Sequence, residues 1–131
     1  SVNKIIGATI DFYNVQFYNQ GTSTYDTYTT LFTTSNGWAT KTSVKEIVAR
    51  GVPAKKIVVG KPVLKTDAYN TGHMDLLALG NATSKAYTDL KWYWGVMLWQ
   101  YSSDLSGVGI QRATSNLTNL ALNIGTAIEK Y

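Results

Sequence analysis

The stretch DFYNVQFYNQ, Asp11 to Gln20, holds the residues of this chain whose types and spacing most suggest chemistry. They alternate as a strand does, with Tyr13, Val15 and Phe17 on one side and Phe12, Asn14, Gln16 and Tyr18 on the other. The second side begins apolar and turns into amides and a phenol toward its C-terminal end. A strand buried on both faces has no use for such groups, so they need something to hydrogen-bond.

Other reactive side chains are few. There is no cysteine, which excludes disulfides, thiolate metal sites and a cysteine nucleophile. His73 is the single histidine, so a Ser-His-Asp triad or a multi-histidine metal site has little to work with, and neither a metal nor a cofactor is expected. The chain has two glutamates, Glu46 and Glu129, and six dispersed aspartates, of which Asp104 reads as a turn or helix-cap residue. Lys61 ends an apolar run and reads as an exposed lysine.

Three strand-like segments must position these residues, each followed by a loop and a helical stretch. The first runs from Ile10 to Asn19 and leads into a Thr- and Tyr-rich loop, Gln20 to Thr30, and a Gly37-Trp38 pair. Ser43-Val44-Lys45-Glu46 fits the S-x-x-E capping box, with Val44, Ile47 and Val48 on one side of the helix and Gly51 as its stop. The second strand, Lys56 to Pro62, is the continuous β-branched run typical of helix-covered parallel sheets. A helix is expected within Met74 to Leu90, a third strand over Trp94 to Tyr101, and a final helix from Ala113 to Lys130 with Leu117, Leu120, Ala121, Ile124 and Ile128 at helical spacing.

Repeated strand, loop and helix is the grammar of a parallel α/β fold. No glycine-rich phosphate loop follows any strand, which weighs against a doubly wound nucleotide-binding sheet. In a barrel one strand face points inward and its C-terminal end meets the active site, which suits the half-polar first strand.

Three blocks, VQFYNQG at Val15 to Gly21, KIVVGKP at Lys56 to Pro62 and WGVMLWQYSSD at Trp94 to Asp104, resemble glycoside hydrolase family 18, especially the fungal and plant-type chitinases. Their order and spacing look like strands six, seven and eight of that family's (β/α)8 TIM barrel, so the fold class implied is α/β, the C-terminal part of such a barrel in a single partial domain. In that family the substrate's own 2-acetamido group attacks the anomeric carbon, in place of a carboxylate nucleophile. The resemblance makes Tyr18 the residue that hydrogen-bonds the acetamido carbonyl. It makes Gln16 a second polar contact, with Asn14 on the same face, and Trp99 the hydrophobic floor under the reacting sugar. Met97 shares the strand parity of Trp99 and is expected to line the same cavity.

The family's D-x-x-D-x-D-x-E signature, whose final glutamate is the general acid, does not occur here. The implied activity is hydrolysis of β-1,4-linked N-acetylglucosamine polymers by a substrate-assisted retaining mechanism, with the acid supplied from outside this segment. Three strands cut from a barrel expose two edges, so an N-terminal segment or second chain is expected to complete it. Endo-β-N-acetylglucosaminidases acting on N-glycans share the fold and the acetamido chemistry. A sugar-binding lectin that lost the acid is the non-enzymatic alternative.

The partners that the resemblance implies are a chitin or N-acetylglucosamine oligosaccharide and that completing segment. With 131 residues, 44% hydrophobic and 15% charged, the chain can bury a core of its own. Twelve basic residues against eight acidic ones give +4, but the lysines are scattered and form no basic stripe, so no nucleic-acid partner is expected. No apolar run approaches the length of a membrane span. The sequons Asn81-Ala82-Thr83 and Asn116-Leu117-Thr118, with the abundance of Thr, Ser, Asn and Tyr, point to a secreted chain.

Overall fold

The computed structural model describes residues 2–114. Most of the final helix expected from Ala113, together with Asn116 and Glu129, lies outside the described residues.

The chain opens with a short helix, α1 (Val2–Ile6), and a 3-10 turn, Gly7–Thr9. Strand β1 (Tyr13–Gln16) follows, then a π-helical turn, Thr29–Thr33, and helix α2 (Val44–Ala49). After a 3-10 turn at Ala54–Lys56 come β2 (Ile57–Pro62), a further 3-10 turn at Lys65–Asp67, and the long helix α3 (Leu76–Leu90). Strand β3 (Val96–Trp99) leads into a 3-10 turn, Tyr101–Ser103, and residues 108–114 are helical.

The strands form one parallel sheet in the order β1-β2-β3. β1 is shorter than the alternation over Ile10 to Asn19 suggests, because only residues 13–16 find partners on β2. β3 is likewise confined to the four residues that reach β2.

Local signals explain the helix ends. The Ser43 hydroxyl caps α2 by accepting the Glu46 N–H while the Glu46 carboxylate accepts the Ser43 N–H, so the expected capping box is present. Asp75 caps α3 by accepting the N–H groups of Leu77 and Ala78. Leu79, Ala82, Thr83 and Ala86 recur at i, i+3, i+4 and i+7 and form its buried stripe.

That stripe covers the sheet face bearing Phe17, Ile57 and Val59, and Trp92 fills the space beside it. The Trp92 indole is fully buried, donates to the Ile57 carbonyl at 2.9 Å and packs on Phe32 with ring centroids 5.0 Å apart. Truncating so large a core side chain costs about 3–5 kcal/mol. The opposite face of the sheet has no helix on it among the described residues. It presents Asn14, Gln16, Met97 and Trp99 to solvent or partly so, and the functional question lies there.

Candidate functional site

Register decides which of the expected site residues meet. Gln16 pairs with Gly60 and Gly60 with Met97, so Gln16 and Met97 flank a glycine in one row across the sheet. Two inter-strand steps separate them, roughly 10 Å. A Cβ on Gly60 would come within 2.7 Å of the Val15 carbonyl oxygen and 2.9 Å of the Met97 methyl. The Val15 carbonyl and the Met97 thioether methyl therefore already fill the space over Gly60, and only a residue without a side chain fits in the row.

Trp99 stands one row further toward the C-terminal edge, paired with Pro62, and is 49% exposed. Its peptide bond to Gln100 is cis. Asn14 lies one row the other way, beside Val58, and is exposed. It shares a cavity of about 530 Å³ with Met97, Phe12 and Trp94, whereas Gln16 lines a different cavity at the C-terminal side of β1. By register Gln16 and Met97 share a row with Trp99 in the next toward the carboxyl end, while Asn14 lies one row toward the amino end, where it meets Met97 in their common cavity.

Tyr18 lies just beyond β1 and is buried at 5% exposure. Gly72, at φ +96°, packs so closely that a Cβ there would come 2.4 Å from the Tyr18 Cα. Asn19 extends this clamp. Its N–H donates to the Thr71 carbonyl at 2.8 Å, and its side-chain oxygen accepts the Tyr69 N–H at 2.6 Å. The amides of Gln16 and Gln20 both donate to the Tyr18 carbonyl, at 3.0 and 3.4 Å. That leaves the Gln16 side-chain oxygen as its acceptor for a ligand. Burial raises the Tyr18 phenol above its ordinary pKa, so at neutral pH it is an O–H donor. Its hydroxyl oxygen is not sealed away without a partner.

The turns after β2 and β3 are joined by Asp67, which the sequence did not single out. Its carboxylate accepts from the Ser103 hydroxyl at 2.8 Å, the Gln100 amide at 3.4 Å and the Leu64 N–H at 2.9 Å. Partial burial pushes the pKa of Asp67 up, but these hydrogen bonds, with His73 nearby, outweigh it and hold the group below its usual value. Asp67 thereby steadies the residues that follow Trp99. The available signal was its place in the turn after a strand-ending proline.

Three charged residues find structural roles. Lys61 is not an exposed lysine. It is fully buried on the helix-covered face, and its ammonium donates to the carbonyls of Phe17 at 3.1 Å and Tyr25 at 2.7 Å. Strand parity puts it on that face, and the two carbonyls provide the partners a buried amine requires. Desolvation lowers its pKa to about 7 against a smaller opposing effect of Asp26. Asp104 is a cap, as its loop position suggested, accepting the N–H groups of Gly109 at 2.7 Å and Ile110 at 2.8 Å.

Glu46 is held in the capping box. Burial would raise its pKa, but the hydroxyls and N–H groups of Ser35 and Ser43, all donating to one carboxylate oxygen, bring it down to about 2. A carboxylate ionised above that pH carries no proton to give to a leaving group. Among the described residues no group of histidine, cysteine or acidic side chains is arranged to hold a metal ion. Among those residues, too, no helix is long and apolar enough to cross a membrane.

Compared with models of known protein families and with curated proteins, the chain matches none.

Proposed function

We propose that this chain is part of a family 18 glycoside hydrolase acting on β-1,4-linked N-acetylglucosamine polymers such as chitin. The observation that carries the reading is the open face at the carboxyl end of a parallel sheet, where Gln16, Gly60 and Met97 share one row and Trp99 stands in the next, beside a clamped Tyr18. Ligands of parallel α/β folds bind at that end of the strands.

Each residue has a role suited to its chemistry. The protonated Tyr18 phenol donates to the acetamido carbonyl oxygen, positioning that oxygen to attack the anomeric carbon as the glycosidic bond breaks. Gln16 accepts from a sugar hydroxyl or the acetamido N–H. Trp99 packs on the apolar face of the pyranose, and Met97 lines the sheet face beside it. The leaving oxygen takes its proton from an acid outside these 131 residues. β1 and β3 each have only β2 as a neighbour among the described residues, so a further segment or chain that pairs with these edges is part of the proposal. Secretion is proposed with it, on the two sequons.

The second reading is that the same face binds N-acetylglucosamine oligosaccharides without cleaving them, which follows if no other part of the protein supplies the acid that is missing from this sequence. One experiment separates the two: hydrolysis of a chromogenic chitobioside by native protein, with intact mass measured on the same preparation. Turnover that Tyr18→Phe abolishes while leaving the fold intact is expected. Binding of chitin oligomers with no turnover by native material would replace the hydrolase with a lectin.

A further inference from the structure

We propose that Asp67 is a positioning residue for the sugar site. Through the turns after β2 and β3 it fixes where the Trp99 ring stands relative to Tyr18, and so how tightly an N-acetylglucosamine unit is held. The inference rests on the carbohydrate reading above.

Trp99 is half exposed, and no aromatic ring among the described residues stacks on it. Its placement therefore falls to the backbone on either side. The Trp99 carbonyl accepts the Val63 N–H at 2.6 Å, which continues the ladder between β2 and β3. Beyond that bond the chain leaves the sheet, and its hydrogen bonds back to the β2 side converge on one carboxylate. One oxygen of Asp67 accepts from the Ser103 hydroxyl at 2.8 Å and the Gln100 amide at 3.4 Å, while the other accepts the Leu64 N–H at 2.9 Å. Each turn is also closed on itself: the Ser103 N–H donates to the Gln100 carbonyl and the Asp67 N–H to the Leu64 carbonyl, both at 3.0 Å. Asp67 thus ties a closed turn after Trp99 to a closed turn after Pro62.

The same loop reaches Tyr18 from its other end. Asn19, next to Tyr18 in the chain, donates its N–H to the Thr71 carbonyl at 2.8 Å and accepts the N–H groups of Tyr69 and Asn70 at 2.6 and 3.2 Å. The Thr71 hydroxyl donates to the Gly21 carbonyl at 2.7 Å, and Gly72 lies against the Tyr18 Cα. Residues 64–72 therefore form a brace, bonded to the Trp99 turn through Asp67 and to the Tyr18 segment through Thr71 and Gly72. A site that grips an acetamido group with a phenol while an indole supports the ring needs the two at a fixed separation, and a displacement of about 1 Å already weakens such a constellation. A carboxylate suits the Asp67 position because three donors converge there, where an amide has only one acceptor oxygen.

The test is a double-mutant cycle on Asp67→Ala and Trp99→Ala, read by calorimetric titration with chitotetraose and by urea unfolding, while NMR follows the indole N–H signals. With Trp99 present, Asp67→Ala should lower affinity about fivefold; in the Trp99→Ala background it should change affinity little, whereas its cost in stability should be the same in both. In the free protein it should move the Trp99 signal and leave that of the buried Trp92 in place. Asp67→Asn should fall between Asp67→Ala and wild type. An affinity that Asp67→Ala leaves unchanged, or lowers equally with and without Trp99, or a Trp99 signal that does not move, would overturn this inference and leave the carbohydrate reading standing. A wild type that binds no chitotetraose would overturn that reading and this inference with it. Should Asp67→Ala fail to fold, Ser103→Ala decides in the same cycle, because it breaks the link between the turns and spares the bond to the Leu64 N–H.

Discussion

The ammonium of Lys61 and the carbonyl oxygen of Tyr25 are joined by a 2.7 Å hydrogen bond in a place sealed from solvent. The bond ties β2 to the loop that follows β1. Burial puts the folded-state pKa of Lys61 at about 7, against 10.5 for the ordinary lysine. Between those values the unfolded chain carries a proton that the folded one lacks. Stability should therefore rise with pH above 7, by up to about 1.4 kcal/mol per pH unit, and this contribution should be flat below 7. Urea unfolding from pH 6 to 9 should show the rise in wild type and not in Lys61→Met. A flat wild-type profile would contradict the assignment.

Glu46 supplies the opposite sign. Its folded-state pKa of about 2 lies below the ordinary 4.5, so its contribution is complete above 4.5 and is lost as pH falls toward 2. Ser43→Ala removes one donor and the cap of α2, and should cost about 1 kcal/mol at neutral pH. Glu46→Gln should flatten the acid limb of the stability profile, as acid unfolding followed by circular dichroism will show.

Gly60 tests the close packing of the row that holds Gln16 and Met97. Gly60→Ala drives a methyl against the Val15 carbonyl and the Met97 methyl, and overpacking of that kind costs about 1–3 kcal/mol. Affinity for N-acetylglucosamine oligomers should fall together with the melting temperature. Adding Met97→Ala relieves only the contact with the thioether, because the Val15 carbonyl is backbone, so stability should recover in part.

Trp99→Ala removes a half-exposed ring that no core residue depends on, so the fold should be retained. Loss of a stacking platform is expected to cost about 1–3 kcal/mol of sugar binding. Titration with chitobiose reads this directly, and an unchanged affinity would remove Trp99 from the site.

Local features of the fold were legible in advance. The S-x-x-E box lies where α2 begins, the β-branched run Ile57 to Val59 lies in β2, and Asp104 caps the helical residues 108–114. Each depends on residues within a few positions of one another. The face of β1 with Tyr13, Val15 and Phe17 was equally plain, because strand parity is a local property. The strand lengths were not legible, since Ile10 to Phe12 alternate as well as their successors but have no partner on β2. Asp67 escaped notice because its importance comes from Ser103 and Gln100, far along the chain.

By itself the sequence determined side-chain chemistry and short-range order: an uncharged amide and phenol face, caps, an apolar parallel strand, and the absence of cysteine. Only the tertiary structure decided that Gln16 and Met97 share a row across Gly60 while Asn14 falls outside it, and that Lys61 is buried. The reason is physical. Parity and capping follow from neighbours in the chain, whereas register and desolvation are set by backbone groups brought together from distant segments, and no local pattern encodes which carbonyls will surround an amine.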